Sequence, residues 1–261
     1  MAAFRGKSGT LSTPSNPNSP DRPTRAEVDG ETPDGLRRLY GRRQAFTLRG
    51  RQATLINELL PKLEIAAPES GSFDLAAAFP DAKEIWLEIG FGGGEHLAWQ
   101  ASENPDIGMI GCEPFINGYA KLLSKIDEQG QANIRILPAD ARPLLESLED
   151  ASISRAFLLF PDPWPKSRHH KRRFVQTKTL DQLARVLKDG AEFRVASDIS
   201  GYVAWTLERT MPHPDFEWTA ESSEDWHNRP DDWAPTRYEA KAIKAGRRPA
   251  YLTFRRKSRS L

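Results

Sequence analysis

From Ile85 to Met211 the chain alternates short apolar runs with stretches of helical periodicity, and no other feature narrows its fold as much. Ile85–Ile89, Ile107–Glu113, Ile134–Pro138, Ser154–Phe160 and Glu192–Ala196 read as strands. Glu95–Glu103, Ile116–Gln129, Pro143–Leu148, Thr177–Leu187 and Tyr202–Met211 read as helices. Strands apolar on both faces need cover on both, so the pattern predicts an α/β fold, a mostly parallel sheet with helices on both faces. Phe216–Thr219 and Ala250–Phe254 read as further strands, separated by an acidic, Trp-rich loop at Ser222–Trp233. They predict an antiparallel addition at one edge.

The rest of the chain divides around this block. Residues 1–35 are rich in Ser, Thr, Pro, Asn and Asp with almost nothing to bury, and are expected to form a disordered tail. Residues 36–72 form an extension. Basic and aromatic residues interleave in it over Tyr40–Arg51, a cap over a ligand or a strip facing RNA, and Ala53–Leu63 reads as a short amphipathic helix carrying Leu55, Ile56, Leu59, Leu60 and Leu63. Residues 73–261 hold the alternating domain. One cysteine, Cys112, excludes an internal disulfide and suits a reducing compartment, and it forms no metal-like spacing with the five histidines. With no run of about 18 apolar residues and no apolar leader, a cytoplasmic protein without membrane or metal is expected.

A net charge of +1 conceals two basic segments. From Arg237 to Arg259 nine Lys or Arg stand against one acid, Glu239. The other segment is FPDPWPKSRHHKRRF, Phe160–Phe174, in which Asp162 sits between two prolines and Lys166, Arg168, Lys171, Arg172 and Arg173 follow without an acid. Prolines fix φ and remove backbone donors, so the carboxylate is braced. A site that holds a nucleic-acid base beside a carboxylate while gripping phosphates outside it needs both parts; a solvated basic loop needs only the second.

The first strand ends in WLEIGFGGGEH. Gly90, Gly92, Gly93 and Gly94 permit a tight turn and close approach to a ligand at a strand's carboxyl end. The dinucleotide pattern G-x-G-x-x-G fails because Glu95 holds its third glycine, whereas E-x-G-x-G-x-G fits with Glu88 at its head. A carboxylate there suits a zwitterion such as the methionine part of S-adenosylmethionine better than a pyrophosphate. Glu113, 23 residues after Gly90, stands where an acid accepts ribose hydroxyls. Asp140 reads equally as an acceptor for an adenine amino group or as a helix N-cap, and Asp198 as a site acid or an N-cap.

In this order the motifs LEIGFGGG, GCEP, Ala139-Asp140-Ala141, FPDPWPKSRHHKRRF, Ser197-Asp198 and Thr236-Arg237-Tyr238-Glu239 closely resemble those of the bacterial tRNA (guanine-N7)-methyltransferases, over residues from about 40 to 256. The resemblance implies a Rossmann-like class I methyltransferase fold that moves a methyl group from S-adenosylmethionine to N7 of a guanine at position 46 in the variable loop of tRNA. It implies that Glu88, Gly90, Gly92, Glu113, Asp140 and Asp162 line the cofactor pocket, with Asp162 nearest the chemistry. Lys166, Asp198, Thr236, Arg237, Tyr238 and Glu239 would hold the guanosine, and Arg168, His169, His170, Lys171, Arg172 and Arg173 would meet the tRNA backbone. Ser167 departs from the family pattern, which usually has another cation there. Monomer and homodimer are both compatible with the sequence.

Guanine N7 carries a lone pair and no proton, so transfer to it needs no general base, and alignment and electrostatics carry the catalysis. Trp164 either stacks on a base or packs the turn; Trp226 and Trp233 read as packing or lid residues. A dehydrogenase would need the missing third glycine. An RNA-binding module without catalysis would not need Glu88, Glu113 and Asp140 in register.

Overall fold

The computed structural model describes residues 47, 48 and 50–259. The tail expected over residues 1–35 and residues 40–46 of the basic and aromatic strip lie outside that range. In chain order come α1 (Arg51–Glu58), α2 (Leu60–Leu63), α3 (Leu75–Ala78), β1 (Glu84–Ile89), α4 (Glu95–Glu103), β2 (Ile107–Cys112), α5 (Ile116–Gln129), β3 (Ile134–Leu137) and α6 (Ala141–Ser147). Next come β4 (Ile153–Leu159), a 3-10 helix (Ser167–Arg172), α7 (Thr177–Val186), β5 (Leu187–Ser197), α8 (Ser200–Thr210), β6 (Phe216–Trp218), α9 (Glu224–His227), α10 (Arg237–Lys244) and β7 (Ala250–Arg256).

The sheet runs β3-β2-β1-β4-β5-β7-β6. Strands β1 to β5 are parallel. β7 is antiparallel to both β5 and β6. The expected antiparallel addition is therefore present, with the later of its strands on the inside, where Leu252 and Phe254 are buried. β1 shows why the parallel strands read as unbroken apolar runs. Ile85, Leu87 and Ile89 enter one core layer with side chains of α6, α7 and α8, while Trp86 enters the other with those of α1, α4 and α5.

One helix was expected over Ala53–Leu63, and two are found. The break at Leu59 follows from Pro61, which has no N–H to give to the preceding turn. Leu55, Leu60 and Leu63 are still all buried, and Arg51 ties α1 to Asp127 of α5 at 2.6 Å.

Strand order reverses at β1, whose neighbours are β2 and β4, and open α/β sheets bind ligands outside the carboxyl ends of such a pair. The long connection from β6 to β7 carries α10 back to that edge. Thr236 opens α10 with a capping box: its hydroxyl accepts the Glu239 N–H at 3.2 Å, and the Glu239 carboxylate accepts the Thr236 N–H at 3.4 Å. Among the described residues no helix is long and apolar enough to cross a membrane.

Candidate active site

A cleft of about 490 Å³ opens at that edge, with Gly90, Gly92, Glu113, Asp140, Asp162, Trp164, Arg172 and Tyr238 in its wall. Gly92 turns at φ 57°, and a Cβ there would lie 2.7 Å from the Tyr238 ring, so backbone and neighbour both require glycine. Glu113, 8% exposed, accepts the Gly92 N–H at 2.8 Å and the Phe115 N–H at 3.0 Å. Burial pushes its pKa up to about 7 against these two bonds, and Asp162 and Glu88 add to the rise. Among the described residues no cation pairs with it. A buried carboxylate short of donors fits a ligand that brings hydroxyls.

Sequence reasoning missed Gly118, in the first turn of α5. A Cβ there would lie 2.4 Å from the Gly92 carbonyl oxygen and 3.0 Å from Glu113 Cγ, so its hydrogen is what lets α5 approach the turn. No local pattern marks it, because both contacts are distant in sequence.

Asp140 does cap a helix. Its Oδ1 accepts the Arg142 N–H at 2.9 Å and its Oδ2 pairs with the Arg142 guanidinium at 2.6 Å, while the residue also faces the cleft. Glu88 is 3% exposed and lies outside that wall. It meets His96 Nδ1 at 2.8 Å, His96 Nε2 lies 3.1 Å from Gln100 Nε2, and Gln100 donates to the Asp232 carbonyl at 2.7 Å. The carboxylate before the glycine turn is thereby linked to the loop that leads into α10. Asp232 is further held by Arg194 at 2.8 Å and Arg155 at 3.3 Å. Trp233 beside it packs on His96, Phe157 and Tyr251.

The Phe160–Phe174 segment follows β4. Phe160 at φ 50° and Trp164 at φ 41° flank Asp162 in the left-handed region, which non-glycine residues occupy only under constraint. Asp162 is exposed as a residue, yet the protein around its carboxyl raises its pKa by burial. Trp164 lines the cleft and carries the Arg172 guanidinium 5.0 Å over its ring, with His169 edge-on at 5.9 Å. Lys166, Arg168 and Lys171 are exposed, and His170 packs on Trp205. Arg173 differs from the rest of the run: it is 4% exposed and turned inward.

Residues 236–239 are split between cleft and core. Tyr238, 44% exposed, lines the cleft, and burial of its hydroxyl followed by the nearby Glu113 raises its pKa. Arg237 pairs with Glu95 and lies where a Gly93 Cβ would be. Glu239 is buried, accepting from Tyr251 at 2.7 Å and Arg229 at 3.0 Å besides its capping role. Asp198 pairs with Arg247 at 2.5 Å and does not cap α8, where Ser197 Oγ accepts the Ile199 N–H instead.

The cleft wall offers carboxylates, aromatic rings and backbone groups. Its one thiol, Cys112, is held protonated by burial, and it contains no histidine. Among the described residues no three His, Cys, Asp or Glu gather as a metal would need. Such a wall suits orientation of a ligand and stabilisation of positive charge.

Residues 82–252 match the family described as "Putative methyltransferase". The chain is 50% identical over 234 residues to the tRNA (guanine-N(7)-)-methyltransferase of Rhodospirillum rubrum, covering 88% of this chain and 92% of that protein. It is 54% identical over 232 residues to the enzyme of the same name from Ruegeria pomeroyi, covering 86% and 97%.

Proposed function

We propose guanine-N7 methylation of tRNA as the function of this chain, which belongs to the tRNA (guanine-N(7)-)-methyltransferase family. S-adenosylmethionine supplies the methyl group, bound to a positively charged sulfur. The observation that carries the reading is the wall itself: carboxylates after three strands face one cleft, beside a run of exposed cations.

Glu113 accepts the ribose hydroxyls, and the Gly90–Gly92 backbone passes close to the cofactor. Asp140 takes the adenine end. Glu88, bonded to His96 outside the cleft, supports from behind the glycine turn that meets the methionine end. Tyr238 holds the guanosine from the cleft wall, with Arg237, Lys166 and Asp198 at its margin and the buried Thr236–Glu239 capping box holding Tyr238 in place, while Arg168, His169, His170, Lys171 and Arg172 meet the tRNA backbone. As the C–S bond breaks and the N7–C bond forms, positive charge moves from sulfur to the purine. Asp162, in the cleft wall, orients the base and stabilises the arriving charge without taking a proton. tRNA as substrate makes the cytoplasm the site of action.

Unmodified tRNA incubated with the protein and S-adenosylmethionine, digested and analysed by mass spectrometry, tests this. One 7-methylguanosine per modified tRNA is expected. An unchanged tRNA, or a methyl group on another atom, overturns it.

A further inference from the structure

Arg173 closes the run of cations that resembles an RNA-contacting segment, yet its geometry gives it a different task. Its Nε donates to the Pro163 carbonyl at 2.9 Å, its Nη2 to the Trp164 carbonyl at 3.4 Å and its Nη1 to the Gly201 carbonyl at 3.3 Å. The guanidinium also lies 4.7 Å from the Trp205 ring centre and 5.5 Å from that of Tyr202. Among the described residues no carboxylate pairs with it. A buried cation committed to carbonyls and rings is unavailable to phosphate.

The turn it holds cannot hold itself. Pro161, Pro163 and Pro165 have no N–H, so alternate residues offer carbonyls without donors. Two left-handed non-glycine residues, Phe160 and Trp164, add constraint on either side of Asp162. Arg173 meets the two carbonyls just after Asp162 and ties them to the first turn of α8. A planar guanidinium can reach three carbonyls at fixed angles, which an ammonium cannot reproduce.

We propose that Arg173 is a positioning residue for Asp162: by fixing the carbonyls of Pro163 and Trp164 it sets the direction of that carboxylate, and it acts on turnover and not on tRNA binding. This rests on Asp162 being the group that meets the base. The experiment compares kcat, the KM for tRNA and the salt dependence of tRNA binding in the full-length wild type, Asp162→Asn, Arg173→Ala and Arg173→Lys. Both Arg173 variants are expected to lose on the order of 10- to 100-fold in kcat, as small misplacements of reacting groups do. KM and salt slope should stay near wild type, and guanidinium added to Arg173→Ala should restore part of kcat.

A raised tRNA KM with a shallower salt slope and normal kcat would overturn the inference and return Arg173 to the phosphate contacts. If Arg173→Ala loses its fold, Arg173→Lys decides, and wild-type kcat there overturns the inference. Asp162→Asn separates the two layers. Normal turnover in that variant removes the role of Asp162 itself, whereas slow turnover there with normal Arg173 variants removes only the role of Arg173.

Discussion

Glu113 accepts the backbone N–H of Gly92 at 2.8 Å across 21 positions of chain, so the acid after β2 and the turn after β1 are one unit. Anything that moves one moves the other. Burial at the cleft wall outweighs the shared bond, which favours the charged form, and pushes the pKa of Glu113 up to about 7.

The pH dependence of cofactor binding follows. Below about pH 7 a proton competes with the ribose hydroxyls for Glu113, so S-adenosylmethionine affinity should fall toward acid, approaching tenfold per pH unit well below the pKa. Glu113→Gln should flatten this profile, and Glu113→Ala should weaken binding by about 1 to 3 kcal/mol. Stability runs in the opposite direction. The folded-state pKa lies above the model-compound value of 4.5, so the folded protein keeps a proton that the unfolded chain releases, and the ligand-free protein should lose stability as pH rises from about 4.5 to about 7. Calorimetry and thermal melts across that range check both signs.

Gly118→Ala should separate binding from stability. Alanine favours a helix over glycine by about 1 kcal/mol, so the fold should survive. The added methyl meets the Gly92 carbonyl oxygen and forces the turn to shift, and cofactor affinity should drop at least about tenfold as ribose contacts are misaligned. Wild-type affinity in a well-folded variant would disprove the role given to this close approach.

Phosphate contact is best tested at Arg168 and Lys171, since Arg172 stacks on Trp164 and Arg173 is buried. Replacing both with Ala should raise the tRNA KM and reduce the log–log salt slope by about 1 for each lost contact. Cofactor affinity measured without tRNA should not change. An unaltered salt slope would place the tRNA elsewhere.

Trp233 anchors the loop that leads to α10. It is 4% exposed against His96, Phe157 and Tyr251, so Trp233→Ala should cost about 3 to 5 kcal/mol in denaturant unfolding. Its indole N–H has no hydrogen-bond partner among the described residues, and Trp233→Phe should therefore cost far less.

Much of this was readable in the chain because parallel strands buried on both faces leave continuous apolar runs. The helix over Ile116–Gln129 agrees to the residue. α10 was not foreseen, although Thr236-x-x-Glu239 is a capping box, because those residues were read only for substrate. The alternation along β1 puts Glu88 on the side of Trp86, toward α4, a parity that already pointed to His96. The inward turn of Arg173 had no local signal, since the five cations from Lys166 to Arg173 look alike in sequence until the 3-10 helix between them sets their directions.

The central claim is that N7 is the atom methylated, and tRNA carrying 7-deazaguanosine at the variable-loop position tests it most directly. Phosphates and most of the base edge are unchanged, so this tRNA should bind as the normal one does and accept no methyl group at that nucleotide. Methylation of the deaza nucleotide would contradict the account.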